Sequence, residues 1–196
     1  MASDIELASN ALLLIGDNPI SSFTEPGAGA TAAANLYEDT YRGLLSLHPW
    51  TFALKEQKLN KLSQTPDSLT NFTSAYQLPT DHIRTWAMLP HSDYVVVGDK
   101  IYSNQNELLL RYVYKVAETS LPPHFTKALE YLLASDFAQL VTESTSKSEY
   151  FKRLFKDQLG SAMSIDSSGH PQMPIIDSPF TDVRNGGFTG GSRGGY

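Results

Sequence analysis

The helical part of the fold is set by residues 121–141, LPPHFTKALEYLLASDFAQLV. Pro122 and Pro123 suit the first turn of a helix, because a backbone nitrogen there has no hydrogen-bond partner within the helix. Apolar residues then recur at spacings of three and four, which is the period of one helix face. That face consists of Phe125, Leu129, Leu132, Leu133, Phe137, Leu140 and Val141. The spacing predicts a helix over 123–143 with this face buried in a core.

Three further helices are predicted by the same period and by their boundary residues. Ser3 and Glu6 have the spacing of a capping box, and so do Ser146 and Glu149. Pro49 ends the second helix, since proline disfavours the helical conformation in the residue before it. The predicted ranges are 4–15, 29–47 and 146–163.

Between the second and third helices the apolar period changes to two, which is typical of strands. A strand is predicted from Trp50, and 108–116 alternates in the same way. Gly98 and Asp99 separate two apolar runs and predict a hairpin with a two-residue turn, in which glycine supplies the positive φ. The sequence therefore predicts an antiparallel sheet of about four strands inserted over 50–116. The expected fold class is α+β, mainly α: a helical bundle with this β insertion and an extended C-terminal tail.

The C-terminal 31 residues, 166–196, have a composition unlike the rest. They hold seven of the thirteen glycines and three prolines, too many for a helix. We therefore predict one domain over 1–165 followed by an extended tail over 166–196. Large apolar residues are spaced along that tail as potential anchors on a partner. They are Met173, Ile175, Ile176, Phe180, Phe188 and Tyr196. The alternative is an inert terminus.

Composition excludes several classes of function. The chain has 196 residues, no cysteine and a formal charge of −6, with 15 Lys and Arg against 21 Asp and Glu. Without cysteine there are no disulfides, thiolate metal sites or cysteine nucleophiles. An acidic protein is not expected to bind nucleic acid or an anionic membrane non-specifically. The N-terminal residues also lack the pattern of a signal peptide or membrane span, so no membrane association is expected.

Motifs for catalysis and cofactor binding are absent from the sequence, including phosphate-binding loops, nucleophile elbows and paired histidines for zinc. One apparent match is Gly27, Gly29 and Ala32, which fit the dinucleotide fingerprint G-x-G-x-x-A. We do not expect a nucleotide site, because the fingerprint requires a buried strand directly before it. These small residues instead predict close packing of the second helix against a neighbour. No catalytic residue, metal or cofactor is predicted.

The order of several segments resembles a known family. Residues 11–22, ALLLIGDNPISS, end the first helix, and after a Gly/Ala loop the second helix leads into HPWTF at 48–52. These features are similar to those of the tail tubular protein A family, the head-to-tail adaptors of short-tailed bacteriophages. In that family the first helix ends in Ile-Gly-x-x-Pro-Val/Ile-Ser, and the second leads to Trp-Thr-Phe. Weaker similarity extends through 76–79, the hairpin and Pro122-Pro123, whereas the glycine content of 186–195 departs from better known members.

The resemblance implies a structural virion protein, found in the tail connector and in the host cytoplasm during assembly. It would form a ring, typically of twelve copies, between the portal and the tail nozzle, with genomic DNA passing through the channel. The tail anchors would bind the portal. The hairpin residues Val95, Val97, Gly98 and Asp99 would bind the nozzle.

Two other functions remain open at the level of sequence. One is a virion-associated glycan hydrolase that uses paired carboxylates, although the sequence does not show which carboxylates would pair. The other is a host protein with a small α+β domain. Density of twelvefold symmetry in virions or portal complexes would favour the adaptor over both.

Overall fold

A computed structural model describes residues 3–63 and 71–169 of the chain. Four helices form its larger part. They are α1 (Asp4–Ile15), α2 (Ala28–Leu47), α3 (Pro123–Val141) and α4 (Thr145–Ser168). With two small antiparallel sheets, they confirm the predicted α+β, mainly α, class.

The boundaries of α1 follow the local sequence. The Ser3 hydroxyl accepts a hydrogen bond from the backbone N–H of Glu6, and the Glu6 carboxylate accepts one from the backbone N–H of Ser3. Gly16 ends the helix with φ 85°, a left-handed conformation that favours glycine. The predicted capping box is therefore confirmed here.

α3 lies at the centre of the bundle and packs against α1, α2 and α4. Phe125 is fully buried and contacts Trp50 edge to face, with ring centroids 5.0 Å apart and planes at 84°. The indole N–H of Trp50 donates to the backbone oxygen of Leu44 at 3.2 Å. The end of α2 and the turn after it are thus fixed on the first turns of α3.

The β part differs from the prediction of one sheet with about four strands. Over the described residues it contains six strands: β1 (Leu54–Lys58), β2 (Ser74–Gln77), β3 (His82–Leu89), β4 (Tyr94–Val97), β5 (Lys100–Ser103) and β6 (Leu109–Tyr114). They form two three-stranded sheets, in the orders β1-β6-β3 and β2-β5-β4. Alternation along one strand indicates which face is buried but not which strand lies beside it. The prediction of a single sheet was wrong for that reason.

A second, smaller core lies between the two sheets. It includes Tyr76 and Ile101 from the β2-β5-β4 sheet and Met88, Leu110 and Tyr112 from the other. One face of the β2-β5-β4 sheet is therefore packed in this second core. Val113, near the end of β6, and Val116, just after it, belong instead to the helical core.

Three details of the helical prediction are corrected by the structure. Residues 51–53 form a short 3-10 turn and not the start of a strand. The N-cap of α4 is Ser144, whose hydroxyl accepts from the backbone N–H of Lys147, and not Ser146. α4 continues to Ser168, beyond the predicted end at 163.

The predicted buried face of α3 is also corrected at one position. Leu140 is 56% exposed, because the face there turns toward a surface groove beside α2. Leu132 and Val141 are partly buried against the core.

Candidate functional site

The predicted nozzle-binding residues lie together at one end of the β2-β5-β4 sheet. Val95 and Val97 belong to β4, and Gly98 and Asp99 form the turn to β5. Gly98 has φ 60°, the positive value that the predicted turn requires. All four residues are exposed.

β4 is an edge strand whose side chains are all apolar and all exposed. Tyr94, Val95, Val96 and Val97 are 38%, 41%, 42% and 53% exposed. Side chains alternate between the two faces of a strand, so both faces of β4 are apolar. By contrast, Ile101 on β5 is fully buried in the core between the sheets. These exposed apolar side chains on an edge strand make β4 a candidate interaction surface.

An aspartate lies on each side of β4 in the chain, and the carboxylate of the second one is held toward β2. Asp93 precedes the strand and Asp99 follows it, and both residues are exposed. The side-chain amide of Gln77 donates to the Asp99 carboxylate at 2.9 Å, and this hydrogen bond lowers the pKa of Asp99. Asp99 therefore stays ionised at neutral pH.

The predicted portal-binding residues lie outside the described residues. These are Met173, Ile175, Ile176, Phe180, Phe188 and Tyr196.

A buried carboxylate at the end of α4 was missed by the sequence analysis, which placed it at the start of the tail. The side chain of Asp166 is 3% exposed. Its oxygens accept hydrogen bonds from the hydroxyl of Thr51 at 2.6 Å and the backbone N–H of Thr51 at 3.0 Å. The Nε2 atom of His48 lies 3.5 Å from the same carboxylate. Asp166 thus caps the 3-10 turn over 51–53 and fastens α4 to the end of α2.

The signal for Asp166 was present in the sequence. The buried stripe of α4 passes through Phe155 and Ala162, and Asp166 follows Ala162 by four residues on the same face. A carboxylate on a buried helix face requires hydrogen-bond donors from another element. The glycine and proline content of the segment as a whole obscured that pattern.

The apparent dinucleotide fingerprint has a structural role. Residues 16–27, all described, form turns and loop and contain no strand before α2. A Cβ atom on Gly29 would lie 2.7 Å from the Asp17 carboxylate and 3.1 Å from the Leu12 side chain. The predicted close packing of α2 against a neighbour is confirmed at this residue.

The helical body carries other exposed apolar side chains. A groove of about 440 Å³ separates the start of α2 from the end of α3 and is lined by Leu36 and Leu140 among mostly small residues. Large exposed apolar residues occur on all four helices. They are Leu13, Leu14, Leu47, Leu140, Tyr150 and Ile165.

Asp136 on α3 is a carboxyl group whose environment in the bundle shifts its pKa. Burial raises its pKa above the ordinary value of 3.8, against the opposing effects of a hydrogen bond from the Thr40 hydroxyl at 3.1 Å and the charge of Lys152.

Over 3–63 and 71–169, no group of three or more His, Asp or Glu residues is arranged to hold a metal ion. Within the same ranges, no helix combines the length and hydropathy needed to cross a membrane.

Comparison with known proteins adds no assignment. The chain matches no protein-family model, and no curated protein is significantly similar to it. The resemblance to phage adaptors therefore stays a prediction.

Proposed function

We propose that the chain is a structural virion protein, a head-to-tail adaptor of a short-tailed bacteriophage. Twelve copies form a ring between the portal and the tail nozzle, and genomic DNA passes through the channel. The observation that carries the proposal is the exposed apolar β4 edge, at the hairpin that the resemblance assigns to nozzle contact. Such an edge is suited to joining another protein and supplies no group for chemistry.

The positions of the residues that carry the resemblance also support the proposal. Gly16 ends α1, and Trp50 is fully buried against α3. These residues fix how α1, α2 and α3 meet. A sequence pattern that sets helix packing is expected to be shared where a fold is shared.

The helices carry exposed apolar side chains that are available for contacts between copies. Leu140, Tyr150 and Ile165 are each more than half exposed, on α3 and α4. In a ring, one surface of each copy meets a different surface of the next, so separate apolar patches are required. The groove beside Leu140 and the exposed residues of α4 are two such patches.

The charge of the chain is compatible with passage of DNA. Twelve copies at −6 each would carry about −72. A negative channel wall repels phosphate, so DNA would move through without being held.

The proposal is tested by expressing the full chain with the portal and nozzle proteins of the same phage. Electron microscopy and mass photometry should show a ring that adds about 260 kDa to the portal, twelve copies of 21.6 kDa. The nozzle protein should join only after that ring has formed. A chain that stays a monomer or dimer in the presence of portal would contradict the proposal.

A further inference from the structure

A groove runs along the first turns of α2, beside the end of α3. Its lining is uncharged and consists mainly of small residues, with Leu36 and Leu140 as the large apolar side chains. Thr31 and Asn35 add polar atoms to the lining. The groove of about 440 Å³ has room for an aromatic side chain, and the hydroxyl of a tyrosine would find polar partners there.

Carboxylates flank this groove at both ends. Beyond Gly27 and Ala28 the groove continues into a second hollow, whose lining includes Asp17 and Glu25 and no lysine or arginine. At the other end Asp39 is exposed on α2, three residues after the leucine that lines the groove. An occupant with positive charge beside its apolar part would therefore be attracted to both ends.

The cations on α2 and at the start of α4 already interact with groups of the same copy. Arg42 lies 3.7 Å from the carboxylate of Glu38, and Lys147 donates to a backbone oxygen at the end of α1 at 2.7 Å. The charge of Lys152 acts on Asp136, one turn before the end of the groove on α3. These contacts leave the lining itself without a cation, so the groove favours an occupant that brings one.

Charge distinguishes Tyr150 from the other large apolar side chains that the described helices expose. Tyr150 lies near the start of α4, is 54% exposed, and has three cations within four positions along the chain, Lys147, Lys152 and Arg153, against one carboxylate, Glu149. The other five have no lysine or arginine within four positions. They are Leu13, Leu14, Leu47, Leu140 and Ile165.

Two of those other patches have a cation beside them from another element, and each cation is already bound. Lys127, beside the exposed leucines of α1, pairs with Glu130 at 3.0 Å. Arg84 of β3 donates to the backbone oxygen of the residue before Leu47 at 2.8 Å. Tyr150, with Arg153 exposed one turn after it, is therefore the apolar side chain that best matches the groove in charge.

Tyr150 and the groove lie on different surfaces of one copy. The groove is formed by α2 and α3, whereas Tyr150 belongs to α4 and packs edge to face on Phe151, with ring centroids 5.3 Å apart. Lys147, one turn before Tyr150, reaches the end of α1 and not α2. Each copy thus has a projecting aromatic side chain and, on another surface, a groove that can receive one. Such a pair of surfaces joins copies head to tail.

Two other occupants leave part of this surface unmatched. A second α4 packed on α4 would bring Arg153 and its neighbouring lysines toward like charges. The C-terminal segment 170–196 has apolar residues and both signs of charge, with Arg184 and Arg193 beside Asp177 and Asp182. That segment would fill the groove but leave Tyr150 exposed. A second copy, bound through its α4, covers both.

We infer that Tyr150 of one copy inserts into the groove between α2 and α3 of the next copy, with Arg153 near the carboxylates at the ends of the groove. Each copy then takes part in two such contacts, one through Tyr150 and one through its groove. The inference rests on the proposed function for the closure of these contacts into a ring. The contact itself can be tested with and without the portal.

The test uses single cysteines, because the chain contains none of its own. Ser146→Cys places a thiol four residues before Tyr150 on the same face of α4, and Asn35→Cys places one in the groove lining. A short bismaleimide should cross-link an equimolar mixture of the two variants at least about fivefold more than either variant alone, because a head-to-tail contact does not bring identical positions together. A chain with both substitutions should give a ladder of covalent oligomers.

Further variants test the aromatic side chain. Tyr150→Ala, made in the Ser146→Cys chain, should lower the yield of cross-linked dimer by about fivefold, because the groove loses the side chain that fills it. Tyr150→Phe should keep most of the yield. Glu149→Ala is the matched control, since Glu149 is an exposed neighbour on α4 that the contact does not require. Circular dichroism checks that each variant is folded.

The charges are tested by reversal and rescue between copies. Arg153→Glu in the Ser146→Cys chain should lower the yield, and Glu25→Lys with Asp39→Lys in the Asn35→Cys chain should restore it. Lys58→Glu, which changes the same charge on β1, should have no effect. A yield that does not respond to Arg153→Glu would refute the role of charge in the contact.

Several results would overturn the inference. Dimers of the Ser146→Cys variant alone, as abundant as those of the mixture, would identify α4 as the partner of α4. Cross-linking that appears only after truncation at Gly169 would identify the C-terminal segment as the occupant. Absence of the cross-link both in the free chain and in rings on the portal would refute the contact while leaving the proposed function intact. If the mixture cross-links as expected and the portal does not recruit the chain, the proposed function fails and this inference stands.

Discussion

Replacing Asp166 with alanine should loosen the joint between α4 and the end of α2. The carboxylate accepts hydrogen bonds from the hydroxyl and the backbone N–H of Thr51, and it is almost fully shielded from solvent. Alanine provides no acceptor. Both donors on Thr51 would then lose their partner at a part-buried site, and the 3-10 turn over 51–53 would lose its cap.

The size of the effect follows from these contacts. Hydrogen bonds to a charged group contribute about 1.5–3 kcal/mol, and a lost helix cap costs typically about 1 kcal/mol. These values overlap, because the same two bonds form the cap, so we expect a loss of about 2–3 kcal/mol in the free energy of unfolding. For a domain of this size that corresponds to a fall in Tm of roughly 4–12 °C. Asp166→Asn keeps an acceptor oxygen and should lose less.

Urea denaturation followed by circular dichroism measures the change. Asp157→Ala is the matched control, since Asp157 lies on α4 but is exposed, and its substitution should change stability by less than about 0.5 kcal/mol. Thr51→Val completes a double-mutant cycle. If the bonds are the cause, the loss from Asp166→Ala should be much smaller in the Thr51→Val background.

Equal urea midpoints for Asp166→Ala and Asp157→Ala would refute this reasoning. A second comparison uses truncation. A chain that ends after Ser164 lacks Asp166 and should melt at a lower temperature than the full chain, by about as much as Asp166→Ala or more. A Ser164 truncation with unchanged Tm would show that the hydrogen bonds between Asp166 and Thr51 contribute nothing to stability.

Three further predictions follow from the site and the bundle. Aspartate at both Val95 and Val97 should leave the far-ultraviolet circular dichroism of the helices unchanged but prevent nozzle addition, whereas Ile101→Asp, which buries a charge between the sheets, should unfold the β part. Truncation after Gly169 keeps Asp166, so the Tm should not change, but the truncated chain should no longer form a portal complex that survives gel filtration. A truncated chain that still forms this complex would contradict portal binding by the tail. Asp136→Asn should stabilise the chain at neutral pH, because the raised pKa means that ionised Asp136 destabilises the folded state. This gain should disappear as the pH falls through the raised pKa toward 3.8 and below, and a gain independent of pH would contradict it.

The helices could be predicted from the sequence because their signals are local. The capping residues Ser3 and Glu6, the stop at Pro49 and the prolines before Phe125 each act within a few residues of the boundary that they set. The hairpin turn at Gly98 is local in the same sense, since a two-residue turn and its flanking pairs are adjacent in the chain. α1, α2, α3 and the hairpin turn were placed to within about two residues, whereas the end of α4 was placed at 163 and lies at Ser168.

Features that depend on distant residues could not be predicted in the same way. β6 pairs with β1 and β3, whose paired residues lie 20 or more positions away in the chain, and the alternation of Leu110 and Tyr112 would look the same beside any partner. The exposure of β4 could not be predicted from the sequence either, because Val95 and Val97 alternate with Tyr94 and Val96 in a run that is apolar at every position. A run of that kind is typical of a buried strand, and only the sheet order shows that it lies at an edge.

The HPWT segment at 48–51 shows why a short motif can carry a fold resemblance without any catalytic role. Pro49 ends α2, and Trp50 packs in the core against α3. Thr51 donates a hydrogen bond to Asp166, near the end of α4. Pro49, Trp50 and Thr51 therefore each act on a different element, and His48 lies beside the same Asp166 carboxylate as Thr51. Three of the four helices and the entrance to β1 meet at this point. The HPWT segment therefore sets helix packing, and the exposed β4 edge is where the proposed function of this chain has to be tested.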